Sequence, residues 1–411
     1  MIQTIASKEA RNPSIIAGDC QEIDLLLCCS RTCLEAPVKE QIKALVKQDI
    51  DWSRLITIAE RHGVKPLLYQ SLNQVCANAI PPNILNQLKK DFRTNAVRNL
   101  YLTRELLKLL KLFASHNIPV LCIKGPALAT LAYGDLSLRQ FSDLDILIYE
   151  KDIIKSKDLI LSQGFKMRFH VIELTEQEES AFMESQNIHK FVREGAYEME
   201  YQGGKVVLEI HWEVIPNYFS FSLQADYLWA NAQSVSLLGQ KVSHLCVEDT
   251  LLLLCGHGTK DCWDKLNRVC DIAELLHNHP QLNWKKVRTE AKKRGGDLLL
   301  LHSLLLTHNL LGISLPEAIW HEINQDQTIS AIANQAQEWL FCSSAKRPKP
   351  LQQFLFILKT KEHLRDKLSY ALSIATTPTL SDWALLPQSD LPPVYYYLLR
   401  SWRILRNTLQ R

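Results

Sequence analysis

An α+β fold, with a small mixed β-sheet flanked by N-terminal and C-terminal helical regions, follows from three observations on this 411-residue chain. Apolar residues recur at helical spacing toward both ends, and short β-prone runs broken by glycine turns fill the middle. One of those runs, Phe141-Ser142-Asp143-Leu144-Asp145-Ile146-Leu147-Ile148, alternates carboxylates with aliphatic side chains. These patterns divide the chain into a helical region at 1–115, a mixed core at 116–245 and a helical region at 246–411.

In chain order, the first ten or so residues have a disordered composition, and Cys20 to Ser115 form helical hairpins. Ile23-Leu26-Leu27, Ile42-Leu45-Val46 and Leu55-Ile56-Ile58-Ala59 supply the helical spacing there. The dense run Cys28-Cys29-Ser30-Arg31-Thr32-Cys33 is expected inside a helix, since it lacks the second ligand pair of a zinc site. Pro81-Pro82 opens a long helix toward Ser115. Ile118 to Ile123 is a short strand, and Lys124-Gly125-Pro126 turns it into a helix over Ala127 to Tyr133. A helix is expected at Asp152 to Ser162, with strands near Phe165 to Val171 and His189 to Arg193. Tyr197 to Tyr201 and Val206 to Trp212 flank a glycine turn as a hairpin, and Ser234 to Leu245 form another around Gly239-Gln240. Helices return from Val247 to about Leu311, jointed at Pro280, Gly295-Gly296 and Gly312. There is no internal repeat.

Within this frame the D-x-D pair carries the chemistry. Alternate strand residues share a face, so Asp143 and Asp145 point one way and Leu144, Ile146 and Ile148 the other. Two adjacent carboxylates are costly unless a cation neutralises them or one takes a proton, and magnesium is an ordinary cation for such hard oxygens. A solvated strand end is the plain alternative. The turn at Lys124 and Gly125 offers backbone amides and a charge to a phosphate, or is an ordinary strand-to-helix connection. On the second hairpin strand Glu209 and His211 share a face opposite Leu208 and Ile210, so Glu209 is either a third acid or a polar residue on the wet side. His211 can orient that acid or reach a phosphate. Arg139 has the fork that matches phosphate, against the default of a solvated loop arginine. His257 and Lys260, three apart near the end of a buried helix, can share a side; Asp271 on the next helix can pair with one of these cations.

Strand, glycine turn, helix, D-x-D strand and a later acidic strand resemble the nucleotidyltransferase superfamily with its polymerase β-like fold. More closely, Lys124-Gly125-Pro126-Ala127-Leu128, Arg139, Asp143-Leu144-Asp145-Ile146-Leu147 and Leu208-Glu209-Ile210-His211-Trp212 resemble a bacterial family of uncharacterised nucleotidyltransferases. That likeness extends through His257, Lys260 and Asp271 to Tyr395-Tyr396-Tyr397-Leu398-Leu399-Arg400. It implies a metal-dependent enzyme that moves a nucleoside monophosphate from a nucleoside triphosphate such as ATP to a hydroxyl or phosphate acceptor, releasing pyrophosphate. Asp143, Asp145 and Glu209 would hold two Mg2+ ions, and Glu209 can also serve as base. Lys124, Gly125, Arg139, His211, His257 and Lys260 would meet the nucleotide. Two departures stand out: Lys124-Gly125-Pro126 replaces the usual glycine-serine, and Glu209 replaces an aspartate. A silent nucleotide-binding regulator and a helical interaction protein with a structural sheet are the other classes consistent with the chain.

Composition bounds the rest. Net charge is +3, too near balance for a protein that coats nucleic acid. Eleven cysteines without paired C-x-x-C units fit a reducing compartment, and with no signal-like start or apolar span a cytoplasmic location is expected. The acceptor, whether a small molecule, a protein or an RNA, is not written in the sequence. Lys346-Arg347-Pro348-Lys349-Pro350 is expected to be an exposed linker. The helix from Tyr395 to Arg411 is expected to pack on the protein with its arginines outward; the other placement is on an anionic membrane surface.

Overall fold

A computed structural model describes residues 20–168, 196–201, 205–216, 219, 221–342, 347–383, 385 and 393–409. The expected segment around His189 to Arg193, the start of the chain and the tip of the first hairpin lie outside these residues. The protein is predominantly helical, with a small mixed sheet at its centre and helical regions on either side.

The N-terminal helices span Gln21–Cys29, Ala36–Val46, Trp52–Arg61, Lys65–Cys76 and Pro82–Ser115. Proline at the first turn of the last one costs no hydrogen bond, because that amide has no intrahelical acceptor. The first helix ends at Cys29, so the dense cysteine run is only partly helical: Ser30 caps it, and its hydroxyl turns back to donate to Leu26 O.

Among the described residues seven strands form one sheet: β1 (Leu121–Cys122), β2 (Leu144–Leu147), β3 (Lys166–Met167), β4 (Ala196–Tyr201), β5 (Val206–His211), β6 (Gln233–Leu237) and β7 (Gln240–His244). Their order is β3-β4-β5-β2-β1-β7-β6. β2 lies parallel to β5 and antiparallel to β1, while β1 lies parallel to β7. The β6–β7 hairpin turns on Leu238 and Gly239, both at positive φ, which is the backbone that a two-residue hairpin turn of this hand requires.

Alternation along the strands decides what each face meets. Leu144, Ile146, Ile148, Leu208 and Ile210 share a core with Leu102, Leu106 and Phe113 of the long helix and with Ile153 and Ile160 of the helix Ile153–Ser162. Leu121, Ile123 and Leu147 belong instead to a larger core built from both helical regions. That second face also carries Asp145, Glu209 and His211.

The C-terminal helix Pro393–Leu409 packs on the protein, but two of the arginines expected to point outward do not. Arg403 Nε lies 2.6 Å from Asp382 Oδ1 and Arg400 Nη1 3.9 Å from its Oδ2, while Val394, Tyr395, Leu398 and Trp402 are exposed. Asp382 is fully buried, and a buried carboxylate is costly unless cations reach it, so Arg400 and Arg403 face inward beside buried Tyr396 while Arg406 stays exposed.

Candidate active site

The site begins with register. β2 and β5 are parallel neighbours in which Asp145 pairs with Glu209 and Leu147 with His211, which puts two acids and an imidazole on one face. Next to them, β1 ends in a reversal at Gly125, whose φ of +53° is a left-handed backbone. A Cβ there would stand 3.2 Å from Asp143 O, so the turn presses directly on the start of β2. Lys124, just before the turn, is thereby aimed at Asp145. The following helix starts at Gly125 rather than Ala127, and after one α turn continues as a π-helical turn over Ala129–Tyr133.

Asp145 is the centre of charge. Lys124 Nζ lies 2.9 Å from Asp145 Oδ1, and His211 Nε2 lies 3.5 Å from the same oxygen and 3.1 Å from Glu209 Oε2. Despite these neighbours Asp145 Oδ1 receives no aligned hydrogen bond, and His211 Nδ1 is also without a partner. One ligand atom each from Asp145, Glu209 and His211 falls within 4.8 Å of the others. Two carboxylates, an imidazole and an orphaned buried oxygen fit a divalent ion: the oxygens suit magnesium, and the nitrogen widens the choice to manganese or zinc. Asp143 precedes the strand, is half-buried, and does not join this group.

Burial disfavours charge on every one of these groups, and their mutual arrangement overrides it selectively. Burial alone would raise Asp145, yet the Lys124 ammonium and His211 hold its carboxyl well below the usual range. Glu209, likewise opposed by burial, is held below its ordinary value chiefly by the hydrogen bond from His211. Burial would lower His211, but the neighbouring carboxylates of Asp145 and Glu209 raise it. Asp143 goes the other way: burial first and then the Asp145 charge push it up to about 6.

The remaining expected residues separate into two groups. Arg139 is committed elsewhere, donating from Nε and Nη2 to the two oxygens of Asp271 at 2.8 and 2.9 Å, with the Tyr133 hydroxyl donating to the same carboxylate at 2.8 Å. Asp271 therefore pairs with Arg139 and not with His257 or Lys260. His257 donates from Nε2 to Val214 O at 2.6 Å, and burial, then the charges of Lys124 and Lys260, hold it well below its ordinary value. Its surroundings include the site, but as a neutral ring tied to the backbone. Lys260 Nζ lies 3.9 Å from Asp261 Oδ1.

One positioning residue escapes a motif search. Asn99, fully buried on the long helix, donates from Nδ2 to Leu136 O and Arg139 O at 2.6 and 2.7 Å, fixing the loop that delivers Arg139. Its signal was a polar residue on the apolar stripe of Leu102 and Leu106, since a buried amide needs partners.

Among the described residues no helix is long and apolar enough to cross a membrane. No curated protein and no solved structure matches the chain. The sequence profile of a family described as uncharacterised nucleotidyltransferase does match, over residues 48–312, a span that contains every site residue above and more than half of the chain. The protein therefore belongs to that nucleotidyltransferase family.

Proposed function

We propose that the protein transfers a nucleoside monophosphate from a nucleoside triphosphate to a hydroxyl or phosphate acceptor, with release of pyrophosphate. The observation that carries this reading is the paired register of Asp145 and Glu209 on neighbouring parallel strands, with Lys124 reaching the same carboxylate. Asp145, Glu209 and His211 would hold a divalent ion, and a second ion would draw on Asp143 beside Asp145. A bound ion supplies neutralisation of the charge that builds on the phosphoryl oxygens.

The chain's own groups divide the remaining work. The acceptor oxygen attacks the α-phosphorus as the bond to pyrophosphate breaks, so the protein has mainly to position and neutralise. Lys124 is the cation nearest the carboxylates and would take a phosphate oxygen. Asp143, beside Asp145 but outside the group of converging ligands, is kept for the second ion. Arg139 would act through the loop it anchors, its guanidinium being held by Asp271.

The test is pyrophosphate release from each nucleoside triphosphate with Mg2+ or Mn2+ and a cell extract as the source of acceptor, comparing the wild-type chain with Asp145→Asn. Asp145→Asn is expected to lose at least about a hundredfold in rate, the scale of removing one electrostatic group from a transition state, while its circular dichroism is unchanged. Full activity in Asp145→Asn would eliminate the mechanism. Nucleotide binding without any pyrophosphate release would favour a silent regulator.

A further inference from the structure

We propose that Lys124 is a resident counter-cation that makes metal binding at Asp145, Glu209 and His211 conditional on nucleotide. The inference rests on the nucleotide reading above and adds to it an order of events.

The argument starts from one oxygen. Asp145 Oδ1 is the atom that Lys124 Nζ approaches to 2.9 Å and also the buried oxygen that lacks an aligned donor. It is thus the ligand a divalent ion would use, and an ammonium and a divalent ion cannot share it without strong repulsion in a site so sheltered from water. The side chain of Asp145 is 2 % exposed and that of Lys124 20 %. Where it stands the ammonium offsets the acids: Asp145, Glu209 and Asp143 all act on it. Metal entry therefore requires Lys124 to leave, and its flexible four-carbon stem allows that.

Where it goes decides the coupling. The Gly125 turn lies close against Asp143 O at the start of β2, and the displacement needed is within reach of the Lys124 side chain alone. Withdrawn from Asp145 with no new anion, the ammonium would be a buried unpaired charge. A triphosphate arriving with the metal supplies the anion. Nucleotide then strengthens metal binding, and by reciprocity metal strengthens nucleotide binding by the same factor. A transfer of the ammonium onto Asp143 instead would leave metal binding indifferent to nucleotide, and the experiment separates the two.

The experiment titrates Mn2+ into the full chain and follows free Mn2+ by electron paramagnetic resonance, with and without α,β-methylene-ATP, correcting for Mn2+ held by the analogue alone. The wild-type chain is expected to bind Mn2+ weakly alone and at least about tenfold more tightly with the analogue, the scale set by removing one adjacent charge. Lys124→Met is expected to reach that tighter affinity without the analogue and to gain little from it, while Lys124→Arg, which keeps the charge, behaves as the wild type. Equal Mn2+ affinity in wild type with and without the analogue overturns the inference, a result that needs no variant to fold. So does a Lys124→Met chain that folds and binds Mn2+ no more tightly than wild type. If the analogue binds normally in either case, the function reading survives; if no nucleotide binds under any condition, that reading fails and the coupling with it.

Discussion

A lysine buried without a carboxylate on its ammonium must be held by weaker partners, and Lys361 is such a residue. It is 2 % exposed, its Nζ donates to Phe219 O, and the same atom stands 3.8 Å from the Phe219 ring centroid. Burial pushes it down to about 7, against the pull of Asp366 and Glu362. Between pH 7 and the ordinary lysine range the unfolded chain carries a proton that the folded chain lacks, so this residue makes stability rise with pH across that window. Unfolding by urea at pH 7, 8 and 9 should show a slope that Lys361→Met reduces by up to about 1.4 kcal/mol per pH unit. Identical slopes in the two chains would mean that the ammonium stays charged. No sequence pattern singles out Lys361, whose setting depends on Phe219, 142 positions earlier. The acids were legible for the opposite reason: period-two alternation within β2 and within β5 fixes which side chains share a face before any long-range contact is known. The fate of Arg139 was not legible, because its partner Asp271 lies 132 positions away and a loop arginine has no period to betray it.

At the scale of elements, alternation, proline at helix starts and glycine turns located most strands and helices, and the structure adds how they are joined. Both hairpins were readable from their turns, but nothing local says that β7 runs parallel to β1 or that β2 and β5 are neighbours. The same limit explains the inward Arg400 and Arg403 of the C-terminal helix, whose amphipathic pattern names two faces without saying that buried Asp382 draws these two in. The turn at Gly125 is the element on which the site most depends. A side chain there adopts a left-handed backbone at a cost of about 1–2 kcal/mol and meets Asp143 O at 3.2 Å. Gly125→Ala should therefore lower unfolding free energy by about that amount and weaken Mn2+ binding, because relief of the contact displaces the start of β2 and with it the carboxylate of Asp145. A variant with unchanged denaturant midpoint and unchanged Mn2+ affinity would show that the turn has room to spare.

Over the whole molecule, the two helical regions that the sequence sets far apart meet in a single core, from Leu25 and Leu68 to Leu253 and Leu300. Polar contacts fasten the same seam: Thr32 N donates to Glu274 Oε1 at 2.9 Å, and Arg61 Nη1 to Cys342 O at 3.0 Å. Such pairings across more than two hundred residues leave no periodic trace in either partner. His62 lies at the middle of the seam, where its Nδ1 accepts from Leu266 N at 3.1 Å and its carbonyl accepts from Asn267 N at 3.1 Å. Accepting on Nδ1 requires that nitrogen to be unprotonated, and burial, then the charge of Arg61, push His62 down to about 4. Buried His302 is pushed to about 4 as well, first by burial. Between pH 6.5 and 4 the unfolded chain binds protons that these folded rings refuse, so stability must fall as the pH drops through that window. His62→Asn, which keeps an acceptor oxygen in place of Nδ1 but does not titrate, should cost some stability at pH 7 through the cavity it leaves. It should also flatten the acid slope by up to about 1.4 kcal/mol per pH unit in urea unfolding between pH 6.5 and 4.5. If the asparagine variant keeps the full acid slope, protonation of His62 is not what loosens the seam, and His302 becomes the ring to replace.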